Sequence, residues 1–493
     1  MKKKILISCL FFLLILFIYS SLFPHTLRIF GKNRLTLWQW KDTSETSEHF
    51  FEDILTTNFI YGSFRGNIEW YIYEPSEVKF PLRHEGIRKR FLEFNKQEWS
   101  IRAGNFYHSF GRGLILNQTV ETTGNIDRDI DGFFFDYTIK SLYISLLSGK
   151  PKNVHFTNKQ YFVPNDTFDI LQAGNISLSL FPLLPFSLNF LRLSSENPGV
   201  KIPRETYLYS FDINVVKGPF MIYTEIAKRE GWNNILFTES EGIGLYGSLT
   251  LFVSRISASF EYLFYDSLGY GGSDYRYNAP PTGNLDNYSI NRASDEKGWM
   301  LDITSNPFAN WYLQLNKSTL SAISSDSLGF DEIYGELKGD LWTKGPTILL
   351  SLKNLDYKKP EPDVDRKTEW IPQIGFMSYL KPLSLSLGLN SRIVEIDSLG
   401  IKIIKFMDNG VSLDMGIFSY LTLSGRWEIR DKEVLLESVG TKWKVIELRW
   451  DISDSHTLNI MAGSEKGGLI CSGGYCRIEE PFEGIKVNLL SRF

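Results

Sequence analysis

Cysteine is close to absent: the chain of 493 residues contains 3, and beyond its first two dozen residues only Cys471 and Cys476 remain. That is too few for a disulfide framework. Histidine is scarce as well, at His25, His49, His84, His108, His155 and His456, and none lies in a metalloprotease pattern or beside a Gly-x-Ser-x-Gly elbow. After residue 24 no run is apolar enough to cross a membrane as a helix. Charge of one sign is also lacking. A formal net charge of −4 spread along the chain excludes a basic nucleic-acid binder and an acidic disordered tail. No low-complexity tract or long Pro/Ser run divides the halves, so a single closed unit is expected rather than two linked domains.

What is present begins with an address. Lys2, Lys3 and Lys4 precede an apolar run from Ile5 to Tyr19, with Ser20 and Ser21 beyond it. This is the pattern of a secretory signal peptide over 1–21, leaving 22–493 as one mature domain; an uncleaved anchor helix is the alternative. In an exported chain Cys471 and Cys476, five positions apart across Gly473-Gly474, can pair as a disulfide.

Period 2 dominates the rest. Leu383, Leu385, Leu387 and Leu389 alternate with Ser384, Ser386, Gly388 and Asn390, and Ile446, Leu448 and Trp450 alternate with Glu447, Arg449 and Asp451. Such segments run about 9–13 residues, longer than soluble strands and long enough to cross a bilayer at a tilt. Tight connections such as Lys217-Gly218-Pro219 and Leu380-Lys381-Pro382 alternate with long polar ones, of which Asp266 to Lys297 is the longest. The pattern predicts an all-β protein: a large antiparallel transmembrane barrel of about 24 strands, within 22–26, with short periplasmic turns, long extracellular loops and no separate plug domain. Trp and Tyr near strand ends would form interfacial girdles among the outer-membrane lipids. The final strand places Ile485, Val487 and Leu489 on one face and stops at Phe493. This arrangement resembles the signal read by the barrel-assembly machinery.

One stretch carries a family resemblance. Ala103-Gly104-Asn105-Phe106-Tyr107, then Phe110-Gly111-Arg112-Gly113-Leu114, then Asp131-Gly132 opening a strand, resemble a family of outer-membrane barrels of unknown function. Tyr277-Asn278-Ala279-Pro280-Pro281 and the Cys471 to Arg477 segment add to the likeness. His108 and Ser109 stand where that motif would carry a carboxylate or amide. The resemblance implies a barrel in the bacterial outer membrane and no particular activity.

Chemistry has few candidates. Asp127, Asp129 and Asp131 before Gly132 open like a calcium loop, yet position 12 is Thr138 instead of a bidentate Glu, and a solvated acidic turn is the plainer reading. A hydrolase would have to draw on His108 or His155, which fall in or near expected loops. The favoured expectation is a porin-like channel, passive or narrowed by a loop. Asp266 to Lys297, or Phe106 to Ile130 with its Gly111-Arg112-Gly113 turn, would fold inward or else cover the outer rim. The second expectation is a surface scaffold or adhesin whose loops bind a partner. Nothing in the sequence specifies a solute, a cofactor or an oligomeric state, and net charge alone does not give the sign of any ion preference.

Overall fold

The computed structural model describes residues 26–493 except 42–46, 76–83, 122–125, 157–160, 163–168, 180–184, 196–203, 234–237, 272–275, 291–293, 399–400, 435–439, 473–474, 480–481 and positions 344, 362 and 433. Residues 1–21, expected from the sequence to be a signal peptide, lie outside the described residues.

Twenty-four long strands form one antiparallel sheet closed on itself, with the two-residue strands Val120–Glu121, Tyr161–Phe162 and Thr238–Glu239 attached to its loops. In chain order the first eight are β1 Arg28–Lys41, β2 Ser47–Tyr61, β3 Phe64–Pro75, β4 His84–Lys96, β5 Trp99–Phe106, β6 Ile126–Ile139, β7 Leu142–Phe156 and β8 Asp169–Ser179. Then come β9 Pro185–Ser195, β10 Arg204–Lys217, β11 Phe220–Asn233, β12 Gly242–Val253, β13 Ile256–Asp266, β14 Asp295–Ser305, β15 Trp311–Ser321 and β16 Gly329–Asp340. The last are β17 Thr347–Glu361, β18 Val364–Leu380, β19 Leu383–Ser398, β20 Ile401–Ile417, β21 Leu421–Arg430, β22 Lys442–Ser453, β23 His456–Glu465 and β24 Phe482–Arg492. Among the described residues no domain stands before β1.

Each strand pairs with its chain neighbours, and β1 pairs with β24 from Lys32↔Arg492 to Trp40↔Gly484. Just beyond that ladder, Gly31 and Phe493 exchange backbone hydrogen bonds of 2.8 and 3.1 Å. The Phe493 ring lies over Gly31, so a Cβ there would stand 2.7 Å from it and 2.3 Å from the Thr56 carbonyl. Closure leaves no free sheet edge.

Pleating sorts the side chains. On β19 Leu383, Leu385, Leu387 and Leu389 are exposed on the outer face, while Asn390 and Arg392 face inward. Ile485 of β24 is also exposed on that outer face. Phe308, Trp342, Phe418 and Tyr420 lie exposed at the short turns, and Trp70, Trp370 and Trp427 lie toward the long-loop end. These are two aromatic girdles. On β18, the outward-facing Trp370 and Leu380 are separated by roughly 25 Å along the barrel axis at ~3.3 Å per residue and a ~40° tilt, matching the apolar band of an outer-membrane barrel.

With strands ~4.8 Å apart at that tilt, 24 of them enclose a backbone cylinder roughly 45 Å across. Side chains alone do not fill such a lumen. The largest buried apolar cluster lies inside it, built from the connections after β5 and β13 together with the inner faces of β6 to β17.

Candidate functional site: an inward-folded loop pair in the lumen

The first loop, residues 107–121, turns at Gly111 and Gly113, whose φ values of +52° and +89° favour glycine. The Gly113 N–H donates to the Phe110 carbonyl at 2.8 Å, and the Phe110 N–H to the Leu116 carbonyl at 3.1 Å. This knuckle presses against the barrel wall. The Arg112 N–H donates to Glu225 Oε2 on β11 at 2.8 Å, and a Cβ on Gly111 would fall 2.5 Å from that oxygen. Behind the knuckle, Leu114, Ile115 and Leu116 are fully buried.

The second loop, between β13 and β14, locks onto the first. The Tyr270 hydroxyl donates to the Ile115 carbonyl at 2.5 Å, Asn278 Nδ2 to the Leu114 carbonyl at 2.9 Å, and the Asn117 N–H to the Tyr277 carbonyl at 2.8 Å. It also reaches the wall. The Tyr277 hydroxyl donates to Asp169 Oδ2 of β8 at 2.5 Å, the Leu285 N–H to Glu332 Oε2 of β16 at 2.8 Å, and Lys353 of β17 pairs with Asp286. Tyr288 packs on Phe330 and Tyr357, with ring centroids 4.7 and 5.2 Å apart.

The wall beneath is itself apolar: Leu171, Leu191, Leu193, Leu208 and Leu263 face the lumen and are buried by the loops. Sequence reasoning assigned polar faces to the lumen and missed this patch. A signal existed on β9, where Leu188 and Phe190 face outward while Leu191 and Leu193 face inward, so alternation fails at one end of the strand. A strand apolar on both faces is covered on both.

The motif residues divide into two groups. Gly111, Arg112 and Gly113 form the docking knuckle. Gly104, Asn105, Phe106, Tyr107 and Asp131 instead fix where the loop leaves the rim. Gly104 has φ +106°, and a Cβ there would meet the Arg90 carbonyl at 2.1 Å. Asn105 Oδ1 accepts the Arg90 N–H at 2.8 Å, and its Nδ2 donates to Asp129 at 3.3 Å. Phe106 packs on Phe134, and the Tyr107 hydroxyl donates to Asp127 at 2.8 Å. Asp131 pairs with Lys152 at 2.8 Å and Arg90 at 3.5 Å.

The three aspartates sit on the extended strand β6, not in a loop, so they do not converge as a calcium loop requires. Lys89 reaches both Asp127 and Asp129. His108 lies between the Phe110 and Phe134 rings at 4.9 and 5.0 Å, and burial pushes its imidazole down to about 4. The His155 side chain lies outside the described residues. Cys471 and Cys476 face each other in the register of the hairpin Gly468–Ser472 and Tyr475–Glu479, which the sequence reading did not anticipate as strands.

A closed 24-strand barrel with an apolar outer band, two aromatic girdles and a polar, loop-filled interior defines a large outer-membrane-type, channel-like β-barrel. The chain matches the family of unknown function DUF6029 over residues 1–270, and it belongs to that family. No curated protein sequence matches it. Among solved structures it is similar to an E. coli P pilus tip assembly intermediate, PapC-PapD-PapK-PapG, with 11% identity and a TM-score of 0.56, covering 94% of this chain and 60% of that one. The siderophore receptor PirA from Pseudomonas aeruginosa shows 8% identity and a TM-score of 0.47, covering 95% of this chain and 80% of its own. Pseudomonas aeruginosa OccK11 (OpdR) shows 11% identity and 0.39, covering 82% and 96%. At these identities the likeness speaks to fold alone.

Proposed function

We propose that this protein is an outer-membrane channel whose lumen is narrowed by its own two loops. One observation carries the reading: residues 107–121 and the connection after β13 lie inside the barrel, with Leu114, Ile115, Tyr270 and Tyr277 fully buried against the lumenal wall. Loops serving only as a surface scaffold would have no need of an interior seat. The wall is too wide to be filled by strand side chains, so the loops determine the aperture.

The test is planar-bilayer conductance of the purified protein and of a variant lacking Tyr270 to Ile290. That segment supplies the Tyr270, Tyr277 and Asn278 bonds to the first loop and the Leu285 bond to the wall. Its removal is expected to raise conductance while the barrel remains folded. Two folded but silent proteins would refute the channel and favour the scaffold.

A further inference from the structure

On the lumenal wall from β10 to β16, Asp212 and Glu225 are buried, Glu225 under the docked knuckle, and beyond them Glu261, Asp302 and Glu336 are half-buried. Their partners are neutral. Asp212 accepts from Asn189 at 3.1 Å, Glu225 from Tyr223 at 2.8 Å, Asp302 from Gln314 at 2.8 Å, and Glu336 from Tyr334 at 2.6 Å. Glu261 is beside Tyr246. None of them forms an ion pair with another described residue.

Elsewhere on the lumenal wall many carboxylates are matched, although Asp136 and Glu447 accept only from the neutral Ser100 and Asn459. Glu93 meets Arg65 at 2.5 Å and also Arg102, Glu369 meets Arg392 at 2.7 Å, Asp408 meets Arg430 at 2.7 Å, and Glu465 meets Arg426. Cations in the acidic sector are few. Arg229 is buried above it and bonds the Ser267 carbonyl at 2.6 Å and the Ser240 hydroxyl at 2.7 Å. Lys338 stands near the short-turn end on β16.

The remaining one is Arg112. Its guanidinium is 5.2 Å from the Tyr223 ring centroid, it is exposed to the lumen, it lies within electrostatic reach of Glu261, and it forms no ion pair among the described residues. The knuckle holds it there through its own N–H to Glu225.

We propose that the channel selects cationic solutes and that Arg112 is the residue that sets how strongly it does so. This rests on the channel reading above. The half-buried carboxylates of Glu261, Asp302 and Glu336, on a low-dielectric wall, raise the local concentration of cations and exclude anions. Arg112 offsets part of that field at the point where the loops narrow the lumen. Screening separates this field from a purely steric filter, because the Debye length is ~10 Å at 0.1 M salt and ~3 Å at 1 M.

The experiment is the reversal potential across a bilayer under a potassium chloride gradient, recorded in wild type or, if wild type is silent, in the variant lacking residues 270–290. A potential of cation sign is expected, larger near 0.1 M than near 1 M. Arg112→Ala should move it further in the cation direction, Arg112→Lys should leave it in place, and the E261Q/D302N pair should move it toward zero. A potential at zero or of anion sign overturns the proposal, as does indifference to both Arg112→Ala and E261Q/D302N. Absence of current in both folded proteins refutes the channel itself, which is a separate failure.

Discussion

Gly111→Val should undock the first loop without disturbing the barrel. The residue sits at φ +52°, where a β-branched side chain costs about 1–2 kcal/mol. Its Cβ would lie 2.5 Å from Glu225 Oε2 and 2.7 Å from the Tyr223 hydroxyl, an overpacking worth about 1–3 kcal/mol. Relieving that clash instead moves the Arg112 N–H off the buried Glu225 carboxyl and leaves that group short of a partner, at about 1–3 kcal/mol. Since the clash is either borne or relieved, only one of these two costs adds to the backbone strain, so near the low end the sum is about 2 kcal/mol, and at 1.4 kcal/mol per decade that multiplies the undocked population by about thirtyfold. No strand contains Gly111, so heat-modifiable migration and β-sheet circular dichroism should match wild type. Single-channel recordings should show a larger or flickering conductance, and a cysteine placed at Leu116, fully buried in the docked loop, should react faster with a water-soluble maleimide. A folded Gly111→Val protein with wild-type conductance and wild-type labelling would show that the knuckle does not control the aperture.

Other outcomes follow from the same geometry. Deleting Phe493, or introducing Gly31→Val against the Thr56 carbonyl, should cut surface accumulation far more than it lowers the melting temperature of whatever barrel does assemble; normal accumulation would contradict the role assigned to the closing strand. His108, with its pKa lowered by burial to about 4 against an ordinary 6.5, favours the docked loop fully above pH 6.5, and that contribution is lost as pH falls from 6.5 toward 4. Conductance should therefore rise over that acid window, and His108→Phe should flatten the rise. Mass spectrometry of native, unreduced protein should find Cys471 and Cys476 joined, and their replacement by serine should leave the barrel folded, because so short a bridge constrains little of the unfolded chain.

The barrel was legible because its cause is local. Alternation from Leu383 to Asn390 follows from a pleat with lipid on one side, and the rhythm of turns such as Leu380-Lys381-Pro382 sets the hairpins. The observed count and nearly every hairpin agree with that reading. Strand ends were less visible: β6 begins at Ile126 instead of Asp131. The site was half legible. Gly111-Arg112-Gly113 stood out as a turn, and inward folding was one of two expectations for each long loop, but the mutual lock was not visible. Tyr270 bonds a carbonyl 155 positions earlier in the chain. Only the register of the intervening strands brings such partners together.

That same separation says something about the order of events during biogenesis. The lock between the loops joins positions about 160 residues apart, and closing so long a connection is entropically unfavourable until the strands between have paired. The loop lock is therefore expected to form after the strands pair, leaving Leu171, Leu191, Leu193 and Leu208 uncovered until it does. For that interval the apolar surface open to aggregation is on the inside of the barrel as well as along its unpaired edges.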